Sequence, residues 1–243
     1  MRVYRLDLTL LEPVFFASRE VGGLYLTEPL LGNYALAYAL GWCSAPYARS
    51  GGPSYPSDLA GPVERGWYVT PAHFPPGDVS FQVHRFNAQT DAYYSRYAQN
   101  AITTERDLSV RIAAVNFPQS GHLRQIARGS HAVCYVVDAN ESLDRQPLVV
   151  RCGKFDSKVR VNWTPLSAES ARGAYTVDGL VNPIDLPPEA RASGFRLIAI
   201  HPTPLLRGAR LDGDHLRLQS GASGVTIPAG MAFLLSYQPP DGS

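Results

Sequence analysis

The sequence predicts an α+β domain made mostly of short strands, with one well-marked helix near its start. Three observations predict it. Residues 2–11 alternate apolar and polar side chains at the period of a half-buried strand. Residues 29–40 then repeat apolar side chains at a spacing of four, the period of an amphipathic helix. Finally, 21 glycines and 20 prolines among 243 residues cut the chain into short apolar runs, which favours strands and long connections over helices.

The first strand sets Tyr4, Leu6, Leu8 and Leu10 on one face and Arg5, Asp7 and Thr9 on the other, and Pro13 ends it. Val14–Ala17 is apolar enough to fold back onto the core, and the loop from Ser18 to Leu26 leads into the helix. Thr27 or Glu28 stands where the first free amides need an acceptor, and Pro29 fits the first turn because its missing N–H loses no intrahelical bond. Leu30, Tyr34 and Tyr38 line one face, and Gly41 supplies the left-handed residue that stops the helix. Gly32 weakens it by about 1 kcal/mol relative to alanine, which points to close packing there. A strand, a loop and a helix form the first half of a ferredoxin-like β-α-β unit.

Residues 43–80 read as a long Pro/Gly/Ser-rich connection holding one short strand at Trp67–Val69. A strand over Phe81–Phe86 follows, with His84 and Arg85 on opposite faces. Residues 87–130 carry Tyr93, Tyr94, Arg96, Tyr97, Arg106, Arg111, Phe117, Arg124 and Arg128 but too few apolar residues for a core of their own. The stretch at about 43–130 is therefore expected to be an insertion in a single domain, ending in a projecting arm or hairpin; the alternative is a solvated insertion that binds nothing. Strands are expected at 131–137 and 147–152. Next comes the basic run Arg151–Val161, which holds both lysines of the chain, Lys154 and Lys158, together with Arg151 and Arg160. That run is either a solvated edge strand, where lysine discourages edge pairing, or a nucleic-acid contact. Short runs at 195–201, 216–218, 225–227 and 231–237 predict a C-terminal strand extension at about 195–237.

Net charge is only +1 but unevenly spread: residues 79–160 carry +4, against −2 before them and −1 after. Of the 22 basic residues 20 are arginine, whose planar fork suits phosphates and base stacking but equally follows from a GC-rich genome. Cys43, Cys134 and Cys152 are isolated and odd in number, so buried thiols are expected rather than a disulfide framework or a zinc site. No apolar run is long enough to span a membrane and no targeting pattern stands out, so a cytoplasmic protein is expected. The chain has no phosphate loop, dinucleotide fingerprint, HExxH or GxSxG, its six histidines have no metal-ligand spacing, and its carboxylates are dispersed. The expectation is no cofactor, no metal and no catalysis. One catalytic alternative stays open, metal-free RNA cleavage by His84 or His122 with a tyrosine and Lys154.

Two blocks carry a resemblance. Phe15–Glu20, Gly23–Pro29 and Asn33–Leu36 after the opening strand, and Arg151-Cys152-Gly153-Lys154-Phe155-Asp156-Ser157-Lys158 later, resemble the small Cas-five-type (Csc-one) subunit of type I-D CRISPR effector complexes. The resemblance covers residues 2–41 and 148–162. It implies a RAMP-type protein, that is, a ferredoxin-like (RNA-recognition-motif-like) domain with a long inserted hairpin or thumb. It further implies a non-catalytic subunit of the Cascade complex that holds the 5′ handle of the guide crRNA and supports interference with target DNA in antiviral defence. The partners it implies are a Cas-seven-type backbone subunit and a large Cas-ten-type subunit, near the place where target double-stranded DNA is read at its protospacer-adjacent motif. On that basis Lys154, Lys158 and Arg160 are assigned to phosphates, with Arg151 either joining them or buried in a salt bridge. Tyr25 and Asn33 are candidates for a base or sugar at the helix mouth, with core packing the other reading of Tyr25. Arg85, Arg96, Arg106 and Arg111 are candidates for gripping the guide or the backbone subunit from the arm. Guide processing by an endoribonuclease and a purely protein-binding module are the two competing functions.

Overall fold

The computed structural model describes residues 1–21, 24–43, 53–88, 96–98, 101–103, 119–220 and 223–236. In chain order the elements are β1 (Arg2–Leu10), β2 (Arg19–Val21), β3 (Leu24–Leu26), β4 (Leu30–Leu31), α1 (Asn33–Ala39), α2 (Tyr55–Asp58), α3 (Ala60–Arg65), β5 (Trp67–Val69), β6 (Ala72–His73) and β7 (Phe81–Ala88). They continue with β8 (Arg96–Ala98), β9 (Ala101–Thr103), β10 (Gln119–Ile126), β11 (His131–Asp138), β12 (Val149–Cys152) and β13 (Ser157–Leu166). The last are β14 (Ala168–Thr176), β15 (Leu180–Val181), β16 (Arg191–Ile198), β17 (Leu205–Ser220) and β18 (Ser223–Pro228). Strand is the dominant element, as the glycine and proline content predicts.

The alternation read in the first strand is what the structure uses. Leu6, Leu8 and Leu10 are buried at 1% exposure or less, while Arg5, Asp7 and Thr9 stay part-exposed on the other face. β1 lies mid-sheet between β11 and β13, antiparallel to both, in a seven-stranded sheet of order β12–β13–β1–β11–β6–β4 with β5 also beside β11. Because β1 and β5 are each antiparallel to β11, they run parallel to one another on either side of it. The connection between them holds the three α-helices found among the described residues. Their apolar side chains, with Tyr34, Leu36, Leu40, Trp42 and Leu59, close the main core over the inward face of β1. The connection from β11 to β13 passes β1 in the same way, but it carries the β12–β13 hairpin and no helix.

The helix begins later than its spacing predicts. Leu30 and Leu31 are extended and pair with His73 and Ala72, so α1 starts at Asn33 after Gly32, and Thr27 and Glu28 do not cap it. A four-residue apolar spacing that contains only two strand residues does not distinguish the two periods, and the ladder to β6 decides the outcome. The stop is as expected, with Gly41 at φ +75 and its N–H donating to the Tyr38 carbonyl at 3.0 Å. Residues 55–73 are not a structureless insertion. They form α2, α3, β5 and β6, and Leu59, Tyr68, Val69 and Ala72 sit in the main core.

β7 and β10 form a four-stranded sheet with β2 and β3, of order β2–β3–β10–β7, and among the described residues β8 pairs with β9 alone. The C-terminal sheet starts at Ala168, earlier than its apolar runs suggest, and is built on the 16-residue β17. β14 and β15 lie along one side of β17, and β16 and β18 along the other. Leu216, Leu218 and Ile227 cover Val3, Val133 and Tyr135, so this sheet packs on half of the outward face of the central sheet. Residues 231–236 form turns rather than a strand, and Phe233 enters the main core. Cys134 and Cys152 are buried thiols as expected, while Cys43 is part-exposed. Among the described residues, no helix is long and apolar enough to cross a membrane, and no cluster of three or more His, Cys, Asp or Glu is placed to hold a metal.

Candidate nucleic-acid interface

The basic run folds as the β12–β13 hairpin, with Arg151 opposite Lys158 and Cys152 opposite Ser157. Its turn needs Gly153, which sits at φ +81 where a side chain would meet the Phe15 carbonyl oxygen at 2.8 Å. That close approach lets the Lys154 N–H donate to the same carbonyl at 2.9 Å. The Phe155 ring stacks on Phe15 with centroids 5.4 Å apart, and it remains 45% exposed. Ser157 donates its hydroxyl to the Pro13 carbonyl at 2.6 Å, and the Lys158 N–H donates to the Glu12 carboxylate at 2.9 Å. The two sequence blocks are therefore laced together along residues 11–15.

The hairpin's charges differ in how they are held. The Lys158 ammonium lies 3.5 Å from Glu12, whose carboxyl is held below the ordinary range first by the Lys158 amide and then by the Lys158 charge. Arg151 is exposed and its guanidinium donates to the Asp156 carbonyl at 3.0 Å rather than lying in a buried salt bridge. Desolvation lowers the Lys154 ammonium from the usual lysine value. Arg160 is exposed on β13 beside Thr9 of β1, and Thr9 meets the His131 ring at 3.1 Å. Arg151, Lys158, Arg160, Thr9 and His131 thus occupy the half of the outward sheet face that the C-terminal sheet leaves open. An exposed aromatic ring among cations can hold phosphates and stack a base at once.

The structure gathers some of the predicted residues and separates others. Tyr25, on β3, packs against Phe15, Ala17 and Leu123, so Phe15 links it to the hairpin. Asn33 leaves the expected surface. It is 2% exposed and donates to Asp185 at 2.6 Å, because the later helix start turns it into the core. Arg85 is exposed on β7 opposite His122, on the other face of the small sheet from Tyr25. His84 lies opposite Leu123, so His84 and His122 point to opposite faces and do not converge. Arg96 is on β8, and nothing further is described of its side chain; Arg106 and Arg111 lie outside the described residues. Sequence reasoning missed Phe155 and Thr9. The signal for Phe155 was an aromatic residue between two lysines beside a glycine.

Comparison with known proteins places the chain. No curated protein sequence matches it. A chain of the solved structure "Type III-B Cmr-beta bound to cognate target RNA and AMPPnP" aligns over 86% of this chain and 86% of its own length, at 10% identity and TM-score 0.48. A CRISPR protein from Archaeoglobus fulgidus aligns over 95% of this chain and all of its own length, at 10% identity and TM-score 0.40. The family model described as Type I-D CRISPR-associated protein Cas5/Csc1 matches residues 1–236, nearly the whole sequence, and the chain belongs to that family.

Proposed function

We propose that the chain is a non-catalytic subunit of a type I-D CRISPR surveillance complex that holds the 5′ handle of the guide RNA on the β12–β13 hairpin. In this role it joins a Cas-seven-type backbone to a large Cas-ten-type subunit near target DNA. One observation carries the reading: the two blocks that resemble the family meet at Phe15, where Phe155 stacks under one exposed ring face with Lys154 and Lys158 on either side in sequence. A single-stranded RNA end presents splayed bases and phosphates, which a half-exposed ring on a hairpin that bears cations can take up. The strand order β13–β1–β11–β5, with helices between β1 and β5, supports reading the body as a ferredoxin-like RAMP domain whose second crossover is the hairpin. The exposed sheet face beside the hairpin extends the track through Arg160 toward His131.

The test is purification of the complex through a tag on this chain, with sequencing of bound small RNA. A uniform repeat-derived 5′ end, lost in the Lys154→Glu/Lys158→Glu variant, is the expected result. Recovery of no RNA from the unaltered chain removes the reading. On isolated protein and a handle oligonucleotide, four phosphate contacts from Arg151, Lys154, Lys158 and Arg160 give a log-log salt slope of about −3, at roughly 0.7 per phosphate. A flat salt dependence returns the hairpin to a protein-binding role. Unchanged precursor RNA after incubation with EDTA is expected, and cleavage abolished by His84→Ala would reverse the non-catalytic assignment.

A further inference from the structure

β16 is an edge strand: among the described residues it pairs with β17 alone. Its outer side presents the row of unpaired amides and carbonyls that another strand can complete. Proteins ordinarily blunt such an edge with charge, yet β16 exposes Phe195 at 52% and Leu197 at 54%. Both border an open apolar groove of about 460 Å³, walled elsewhere by Leu186, Pro187 and Leu206. Arg196, between them, emerges on the opposite face of the sheet, and the register sets it directly across from Arg207. Among the described residues neither guanidinium has an ion-pair partner, and like charges in directly opposed positions destabilise a sheet.

We propose that β16 receives an extended segment of a neighbouring protein, added as a further strand, in which apolar side chains flank an acidic one. The apolar pair lies in the groove beside Phe195 and Leu197, while the carboxylate stands next to Arg196 and offsets its repulsion by Arg207. Addition of a strand satisfies the open backbone edge at the same time. A nucleic acid offers no peptide groups for that edge and no aliphatic side chains for the groove. A second copy of the chain is disfavoured as well, because antiparallel self-pairing centred on Arg196 sets arginine beside arginine. The inference goes beyond handle binding and uses a different sheet and different residues.

Amide hydrogen exchange over Arg191–Ile198 in the tag-purified complex, compared with the isolated chain, tests it without altering the protein. The expected result is slowing by about tenfold or more that survives digestion with RNase and DNase. Arg196→Glu and Leu197→Asp, both at exposed positions, are each expected to lose one protein from the complex while the isolated chain keeps its Tm and its handle RNA. Equal exchange in both samples, protection that nuclease removes, self-association of the isolated chain through β16 in sedimentation, or purification with no other protein each overturns it. Failure here with RNA still lost in Lys154→Glu/Lys158→Glu removes the docking strand and leaves handle binding standing.

Discussion

At the scale of single residues, Asp185 and Gly153 do the most to hold distant parts of the chain in place. Asp185 is fully buried and accepts from Asn33 at 2.6 Å, Tyr34 at 2.9 Å, Tyr68 at 3.0 Å and the Leu234 amide at 2.8 Å. It ties the start of α1 to β5 and to the last turns of the chain. Asp185→Ala takes the acceptor from Tyr34, Tyr68 and the Leu234 amide and leaves Asn33 with only a 3.4 Å contact to the Tyr68 hydroxyl, and urea unfolding is expected to show a loss of at least about 3 kcal/mol. Burial raises the Asp185 carboxyl from 3.8 to about 6, against the opposing effect of its hydrogen bonds. A raised carboxyl contributes stability that is complete below about pH 4 and is lost as pH rises through about 6, amounting at most to about 3 kcal/mol. Stability is therefore expected to fall between about pH 4 and 6, and Asp185→Asn is expected to flatten that part of the pH profile. Gly153→Ala adds both a clash with the Phe15 carbonyl and a strained φ, for an expected loss of about 1–3 kcal/mol in the same measurement. None of Asp185's role is legible in the sequence, since two of its partners, Asn33 and Tyr34, lie 152 and 151 residues away. The same separation explains why Asn33 reads as a surface contact when its chemistry serves the core.

Elements were legible where one period ran long enough to exclude the other. β1 shows seven consecutive residues of alternation, Tyr4–Leu10, and is found as read, with its polar face turned toward the candidate interface. Leu30–Leu31 is two residues long, and its ladder partner β6 is about forty residues further on, so local pattern carries no information about it. The β12–β13 hairpin was legible only as a basic run, its turn at Gly153 was not read, and half of its contacts come from residues 11–15. Phe155 shows what that adds. Alone it is an aromatic residue at a turn; stacked on Phe15 it becomes a platform with one open face. Phe155→Ala is expected to weaken handle RNA by about 1–3 kcal/mol in a filter-binding or anisotropy titration, because one stacked base loses its ring. A drop in RNA affinity matched by an equal drop in folding stability instead assigns Phe155 to packing.

For the whole molecule, the outward face of the central sheet is covered in part and open in part. The C-terminal sheet covers Val3, Val133 and Tyr135, and what it leaves open is the track of Thr9, His131, Arg160 and Lys158. Leu218→Ala, at 1% exposure in this inter-sheet layer, is expected to cost about 2–5 kcal/mol in urea unfolding and to weaken RNA binding only through stability. This layering could not be read in the sequence, because β14 is polar and small-residued and β16 shows no alternation of burial. The lacing of residues 11–15 to the hairpin has a consequence in time. Its hydrogen bonds span 144 and 146 residues, so they close among the longest loops in the chain. Contacts of that separation form late, after shorter loops have closed. A ribosome must also release the hairpin, some two-thirds of the way along the message, before residues 11–15 have anything to meet. The proposed handle site therefore does not exist on a nascent N-terminal half, and under that proposal a half-made chain cannot capture a guide.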